Sequence, residues 1–299
     1  MNGDDGFKLT VPATVYDAVV ATQGDYFGPM SKTASYKVAD DVLSQDKAER
    51  QASLLMHHRD LRGARALEVG AGLGTNVITW IRRYDADMFG VEPDGAGFDA
   101  SFKLARELAI ANGVDPERII NATGEHLPFP DHSFDIVFSA NVLEHTDDPA
   151  KVLRESLRVL RPGGILQFVF PNYCSYYDGH YGVFHPPVLW RGFFPWYVKW
   201  ICGRDPTFAH TLRTELNVGW VKAQIAQLEH DYAIEVLGLG KDVFLERMTS
   251  LDFATWASLG RVKRLLNLVG NAAVRRFLAN TIIVLRGWTP IVLTLRKNA

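Results

Sequence analysis

Three short stretches and a few histidines hold the residue types that chemistry needs. The first is Glu68-Val69-Gly70-Ala71-Gly72-Leu73-Gly74, where a strand-like run meets alternating glycines. Glycine tolerates positive φ and lets a ligand approach the backbone. The helix that follows offers free N–H groups at its start. A nicotinamide-binding turn, G-x-G-x-x-G, would place its third glycine at position 75, which is Thr75 here. The second stretch is FGVEPD, with Glu92 twenty-two residues after Gly70. A carboxylate at that strand end can accept both hydroxyls of a ribose and would repel a 2′-phosphate. The third is Gly124-Glu125-His126-Leu127-Pro128-Phe129. There Glu125 can accept from an adenine amino group, the His126 N–H can donate to a ring nitrogen, and Leu127 and Phe129 can cover the base. Taken singly, each has a plainer alternative: a tight turn with no ligand, a solvated strand-end carboxylate and a surface loop.

Proton transfer at neutral pH points to histidine. The candidates are His145, just past the fourth expected strand, and the group Asp178, His180 and His185. His180 leaves the fifth strand directly, at the carboxyl edge where ligands bind, flanked by Gly179 and Gly182. A structural loop histidine is the bland alternative. Asp178-Gly179-His180 has no standard metal-ligand spacing, so no metal is expected.

The elements that must position these residues alternate. Apolar strand runs at 64–70, 87–91, 118–122, 134–139 and 165–170 are separated by helical patterns at 76–84, 96–112 and 149–160. Such alternation means βαβ units and a parallel sheet. A helix is expected over 39–58. Arg161-Pro162-Gly163-Gly164 is a helix breaker. Residues 173–200 hold eleven aromatic residues in twenty-eight. A helix near 215–230, a strand near 233–239, a helical insertion over 242–285 and a strand at 290–295 follow. The insertion includes a basic helix over 261–276.

The chain has 299 residues, 47% hydrophobic and 22% charged, with net charge −2. That suits a soluble α/β protein and argues against a generally basic nucleic-acid binder. Charge is uneven: residues 241–299 carry a net +7 and the rest −9. Two cysteines, Cys174 and Cys202, are too few for a disulfide framework or a structural zinc site. The polar, acidic N-terminal stretch has no basic region followed by an apolar run, so no secretion signal is expected. The expected location is the cytoplasm, with peripheral contact at the inner membrane face.

Taken together, LEVGAGLGTN, GVEPD and GEHLPFPDHSFDIVFSANVLEHTDDPAKVLRESLRVLRPGGIL resemble the class I methyltransferases, particularly the methyltransferase type 11 group. The resemblance spans residues 66–170. It implies S-adenosyl-L-methionine as cofactor, with Gly70, Gly72 and Gly74 lining its methionine and ribose part. It further implies Glu92 on the ribose hydroxyls, Glu125 and His126 at the adenine, Asn141 near the methionine moiety, and Glu68 orienting the loop or the cofactor's amino group. The segment from Asn172 to Gly182 resembles bacterial methyltransferases linked to cell-surface saccharide synthesis.

The expected fold is α/β: a Rossmann-like, doubly wound, seven-stranded and mostly parallel sheet, its last strand antiparallel. The expected divisions are an N-terminal helical lid (1–60), a cofactor-binding core (61–172) and an aromatic cap insertion (173–212). A core helix and strand (213–240), a basic helical insertion (241–288) and a terminal strand (289–299) complete the chain. The expected function is O-methylation of a small or saccharide-like acceptor, with His180, His145 and Asp178 as catalytic candidates. Methylation of a lipid-like or quinone-like ring and a non-catalytic cofactor-binding scaffold are the alternatives.

Overall fold

The structure is a computed structural model that describes residues 6–27, 32–95, 100–187, 190, 192–250 and 271–299. Three helices come first: α1 (Ala13–Phe27), α2 (Lys32–Val42) and α3 (Gln45–Met56). The core then alternates β1 (Arg65–Val69), α4 (Thr75–Tyr84), β2 (Asp87–Val91), α5 (Ser101–Ala111), β3 (Ile119–Ile120), β4 (Phe134–Ala140), α6 (Pro149–Val159) and β5 (Leu160–Phe170). The apolar runs become strands because helices bury both faces of the sheet they form. The strand order is β3-β2-β1-β4-β5-β9-β8, where β8 is Ile234–Gly238 and β9 is Ile291–Lys297. The first five strands are parallel, and β9 runs antiparallel to β5 and β8. Strand order reverses beside β1, so the carboxyl ends of β1 and β4 open a crevice where ligands bind.

The N-terminal helices are part of the core packing. The Trp80 indole N–H donates to Ala48 O at 2.9 Å, and the Thr75 hydroxyl donates to Val42 O at 3.1 Å. Val15, Val19, Ala39 and Leu43 share a buried cluster with Ile78, Leu104 and Leu108. The single helix expected over 39–58 is two. Ser44 breaks it by capping α3, its side chain accepting from the Lys47 N–H at 3.2 Å.

The breaker at 161–164 lies inside β5. Its register against β4 jumps between Phe134 and Ile136, with Gly163 at φ 78°, so the turn residues form an irregularity in the strand. After β5 the chain makes a small ribbon of β6 (Tyr177–Asp178) and β7 (Val183–Phe184), then α7 (Phe193–Trp200), α8 (Thr207–Thr211) and α9 (Val218–Leu228). The aromatic insertion divides by face. Tyr173, Tyr177 and Phe194 are buried, whereas Trp190, Trp196 and Trp200 are exposed.

Helices α10 (Lys241–Ser250) and α11 (Ala272–Val284) flank residues 251–270, which lie outside the described residues. Most of the expected basic helix over 261–276 falls there. No helix among the described residues is long and apolar enough to cross a membrane.

Candidate active site

A cavity of about 810 Å³ opens at the carboxyl ends of β1, β2 and β4. Its walls include Glu68, Gly70, Gly72, Glu92, Glu125 and Asn141, six of the eight residues expected to hold the cofactor. Gly70, at φ 75°, must be glycine: an added Cβ would lie 2.3 Å from Val142 Cγ2. Gly72 has φ 54°, and an added Cβ there would enter open space. Its N–H donates to Glu92 Oε2 at 2.9 Å. Glu92 is 5% exposed, and burial pushes its carboxyl up to about 7 against the pull of that hydrogen bond. Glu68 rises to about 8, again through burial, opposed by the Asn76 side-chain amide at 2.5 Å. Glu68 Oε2 and Asn141 Oδ1 are buried without a hydrogen-bond partner among the described residues. Asn141 also sits at φ 57°, a conformation that a non-glycine residue adopts at a cost.

Two expected cofactor residues are placed differently. Gly74 caps α4 at φ 71° and does not line the cavity; a Cβ there would lie 3.1 Å from Ile119 Cδ1 and 3.4 Å from Ala105 Cβ. Its role is packing between helix and sheet. The His126 N–H already donates to Thr123 O at 3.1 Å, and its ring Nε2 lies 2.6 Å from Lys151 Nζ. Its backbone N–H is therefore already used within the loop. Leu127 and Phe129 pack into the core instead of the cavity wall. Ala122, Thr123 and Gly124 line that side, with Pro93, Ala100 and Leu104. Glu125 reaches the wall, but its Oε1 already accepts from the N–H groups of Asp147 at 2.9 Å and Asp148 at 3.3 Å.

His145, His180 and Phe208 line the other flank, beyond β4 and β5. His180 occupies the turn between β6 and β7. Asp178 builds that turn: its Oδ1 accepts from the Tyr181 N–H at 2.7 Å and its Oδ2 lies 3.1 Å from His180 Nδ1. This fixes the imidazole with its proton on Nδ1 and Nε2 turned inward. Nε2 then faces Glu144 Oε1 at 3.9 Å, and His145 Nε2 faces the same oxygen at 4.0 Å. The two rings stand edge to face, 5.3 Å apart.

Burial would lower the His180 pKa, but Asp178 and then Glu144 outweigh it, so the net shift is upward. His145 is driven down to about 3 by burial and then by His180. Glu144 rises to about 7 because it is buried, despite His180. His185 does not join them. Its Nδ1 lies 2.8 Å from Pro186 O and its ring packs on Phe194, away from the cavity. Glu144 is the residue that sequence reading missed. Its only signal was its place beside His145 in LEH.

The stretch from β1 to β5 that carries the cofactor side, residues 67–168, matches the methyltransferase domain family. An uncharacterized methyltransferase of Mycobacterium sp. strain JLS is 36% identical over 118 residues, 40% of this chain and 43% of its own length. Residues 67–168 form a class I S-adenosylmethionine-dependent methyltransferase domain. An uncharacterized protein of Mycobacterium tuberculosis is 29% identical over 179 residues, 60% of this chain and 56% of that one. The chain thus spans about half the length of the curated relatives it matches. The protein solved in complex with the Trm112 methyltransferase activator of Haloferax volcanii has the same fold, at TM-score 0.52 and 16% identity over 95% of this chain and 98% of that one.

S-adenosylmethionine is the cofactor of this class of methyltransferase domain. When bound it supplies a methyl group already activated by a sulfonium. The residues present fit it. Glu92 is a buried acceptor for a diol, the partnerless oxygens of Glu68 and Asn141 await donors, and the Cβ direction of Gly72 is open.

Proposed function

We propose that the protein transfers a methyl group from S-adenosylmethionine to a hydroxyl of a small or saccharide-like acceptor. The carrying observation is the Asp178–His180 pair on the cavity flank opposite Glu92, where Asp178 holds one imidazole nitrogen and leaves the other facing inward. In an O-methylation the O–CH₃ bond forms as the S–CH₃ bond breaks, and the hydroxyl must lose its proton. His180, with His145 and Glu144 beside it, is where the hydroxyl is activated; Asp178 sets the ring's tautomer and angle. Phe208, 5.5 Å from His180 and 5.7 Å from His145, shields both from water. The N-terminal helices contribute Val19, Val38, Val42 and Gln51 to the wall, which supports their reading as a lid.

The test is turnover on a panel of hydroxylated acceptors. His180→Ala should lower turnover by about a hundredfold or more while leaving cofactor affinity nearly unchanged. A folded variant that keeps more than half its turnover removes His180 from this role. Cofactor binding without turnover on any acceptor favours the non-catalytic scaffold.

A second reading, a lipid-like or quinone-like acceptor reached at a membrane face, is favoured by Trp190, Trp196, Trp200 and Ile201, all more than 45% exposed. Tryptophan is enriched at membrane interfaces. Sedimentation with anionic vesicles tests it: Trp196→Ala with Trp200→Ala should abolish binding if that face touches lipid.

A further inference from the structure

We propose that Glu144, His145 and His180 bind a divalent transition-metal cation, of the zinc or manganese kind, at the acceptor end of the cavity. This rests on the O-methylation reading and specifies how the hydroxyl meets that cluster. The three residues each offer one ligand atom, and these atoms all lie within 4.8 Å of one another. Glu144 Oε1 lies 3.9 Å from His180 Nε2 and 4.0 Å from His145 Nε2. Such distances are too long for hydrogen bonds. Ligands about 2.0–2.2 Å from one shared ion sit roughly 3–3.5 Å apart, so side-chain movements on the order of half an ångström close the set.

Two further observations point to a cation. Glu144 is fully buried, and neither carboxylate oxygen has a hydrogen-bond partner among the described residues. A buried carboxylate without a hydrogen bond is costly, and a cation between it and two imidazoles removes that cost. Behind His180, Asp178 lies 3.1 Å from Nδ1 and is itself held by the Tyr181 N–H. A carboxylate behind a ligating histidine is the recurrent support of metal sites, because it fixes the tautomer that leaves the other nitrogen free to bind. Two imidazoles and a carboxylate match the donor preferences of zinc and its neighbours. His145 and His180 face the cavity, so a coordination position stays open to the acceptor, as catalytic rather than structural sites require. A cation there lowers the pKa of a hydroxyl that meets it.

The experiment uses the full chain, stripped with chelator and titrated with Zn²⁺ and separately with Mn²⁺ by calorimetry, with bound metal counted by mass spectrometry. The expected result is one equivalent bound at micromolar affinity or tighter. Glu144→Gln and His145→Ala should each weaken binding at least tenfold, and Asp178→Asn by about tenfold through the His180 orientation. Their S-adenosylmethionine affinity should stay near wild type, which also shows that they fold; His145→Gln replaces any variant that does not. Absence of stoichiometric metal in the folded wild type, or binding indifferent to these substitutions, overturns the proposal. If no cation binds yet His180→Ala loses turnover on a hydroxyl acceptor, the cation site fails and the O-methylation reading stands. If a cation binds through these residues and no hydroxyl is methylated, the site stands and that reading fails.

Discussion

The backbone N–H of Gly72 donates to the carboxylate of Glu92 at 2.9 Å, tying the glycine loop after β1 to the end of β2. The two strands are parallel neighbours, so the loop and the acidic residue emerge on the same edge. Glu92 is thereby held in the cavity wall, buried and with acceptor capacity to spare.

Glu92→Gln keeps the shape but weakens charge-assisted hydrogen bonds to the diol. The expected loss of S-adenosylmethionine affinity is about 1.5–3 kcal/mol. A 2′-deoxy analogue of the cofactor should lose less by the same substitution. Equal losses, measured by calorimetry, would count against Glu92 as the ribose ligand.

Cofactor affinity should rise with pH between about 6 and 8. Burial raises Glu92 to about 7 and Glu68 to about 8 in the unliganded protein. Donors from the cofactor favour the ionised carboxylates, so binding below these values must expel protons. Stability of the unliganded protein should move oppositely. Both carboxyls have folded values above their unfolded ones, so their neutral forms favour folding at low pH. That contribution fades as pH climbs through 7 to 8. Thermal melts and titrations at pH 6 and pH 8 check both directions. A flat affinity profile contradicts the buried-carboxylate picture.

The three glycines should separate by phenotype. Gly72→Val meets no atom in the unliganded protein but is strained at φ 54°, so it should cost some stability; in the folded variant its side chain takes cofactor volume, and at least about 2 kcal/mol of binding should be lost. Gly74→Ala meets Ile119 and Ala105 at a positive φ, so it should lower the melting temperature more than it lowers affinity. Gly70→Ala must displace Val142, next to Asn141, and should harm both. Identical effects from all three would contradict the distinct placements.

The sheet and the glycine edge were legible because strand runs, breakers and Gly70, Gly72 and Glu92 are local signals. Gly74 and His126 fell in the expected loops, yet one packs against Ile119 and the other spends its N–H on Thr123. Position in a motif does not say which way a group points. Ser44 split a helix that periodicity joined, since a cap outweighed the apolar spacing. Glu144 was hidden because its partner His180 lies on a ribbon far along the chain. Only the fold of β6 and β7 returns that ribbon to the end of β4. His185, equally promising by residue type, turns toward Phe194 because its ring completes the small apolar core of the insertion.

Asp178→Asn isolates the orientation of His180. The amide retains the turn bond from the Tyr181 N–H but exchanges the charge that holds the ring, so turnover should fall about tenfold to a hundredfold with cofactor affinity intact. A parallel fall in cofactor affinity would make the residue structural.

The most direct measurement follows the methyl group itself. The protein is incubated with S-adenosylmethionine carrying a ¹³C-labelled methyl and a pool of saccharide-like and other small hydroxyl acceptors, and the products are read by mass spectrometry and NMR. The account predicts S-adenosylhomocysteine in amounts equal to a product labelled on oxygen, with both lost in Glu92→Gln at limiting cofactor and in His180→Ala at saturating cofactor. Label on carbon or nitrogen, or tight cofactor binding with no labelled product from any acceptor, would contradict it.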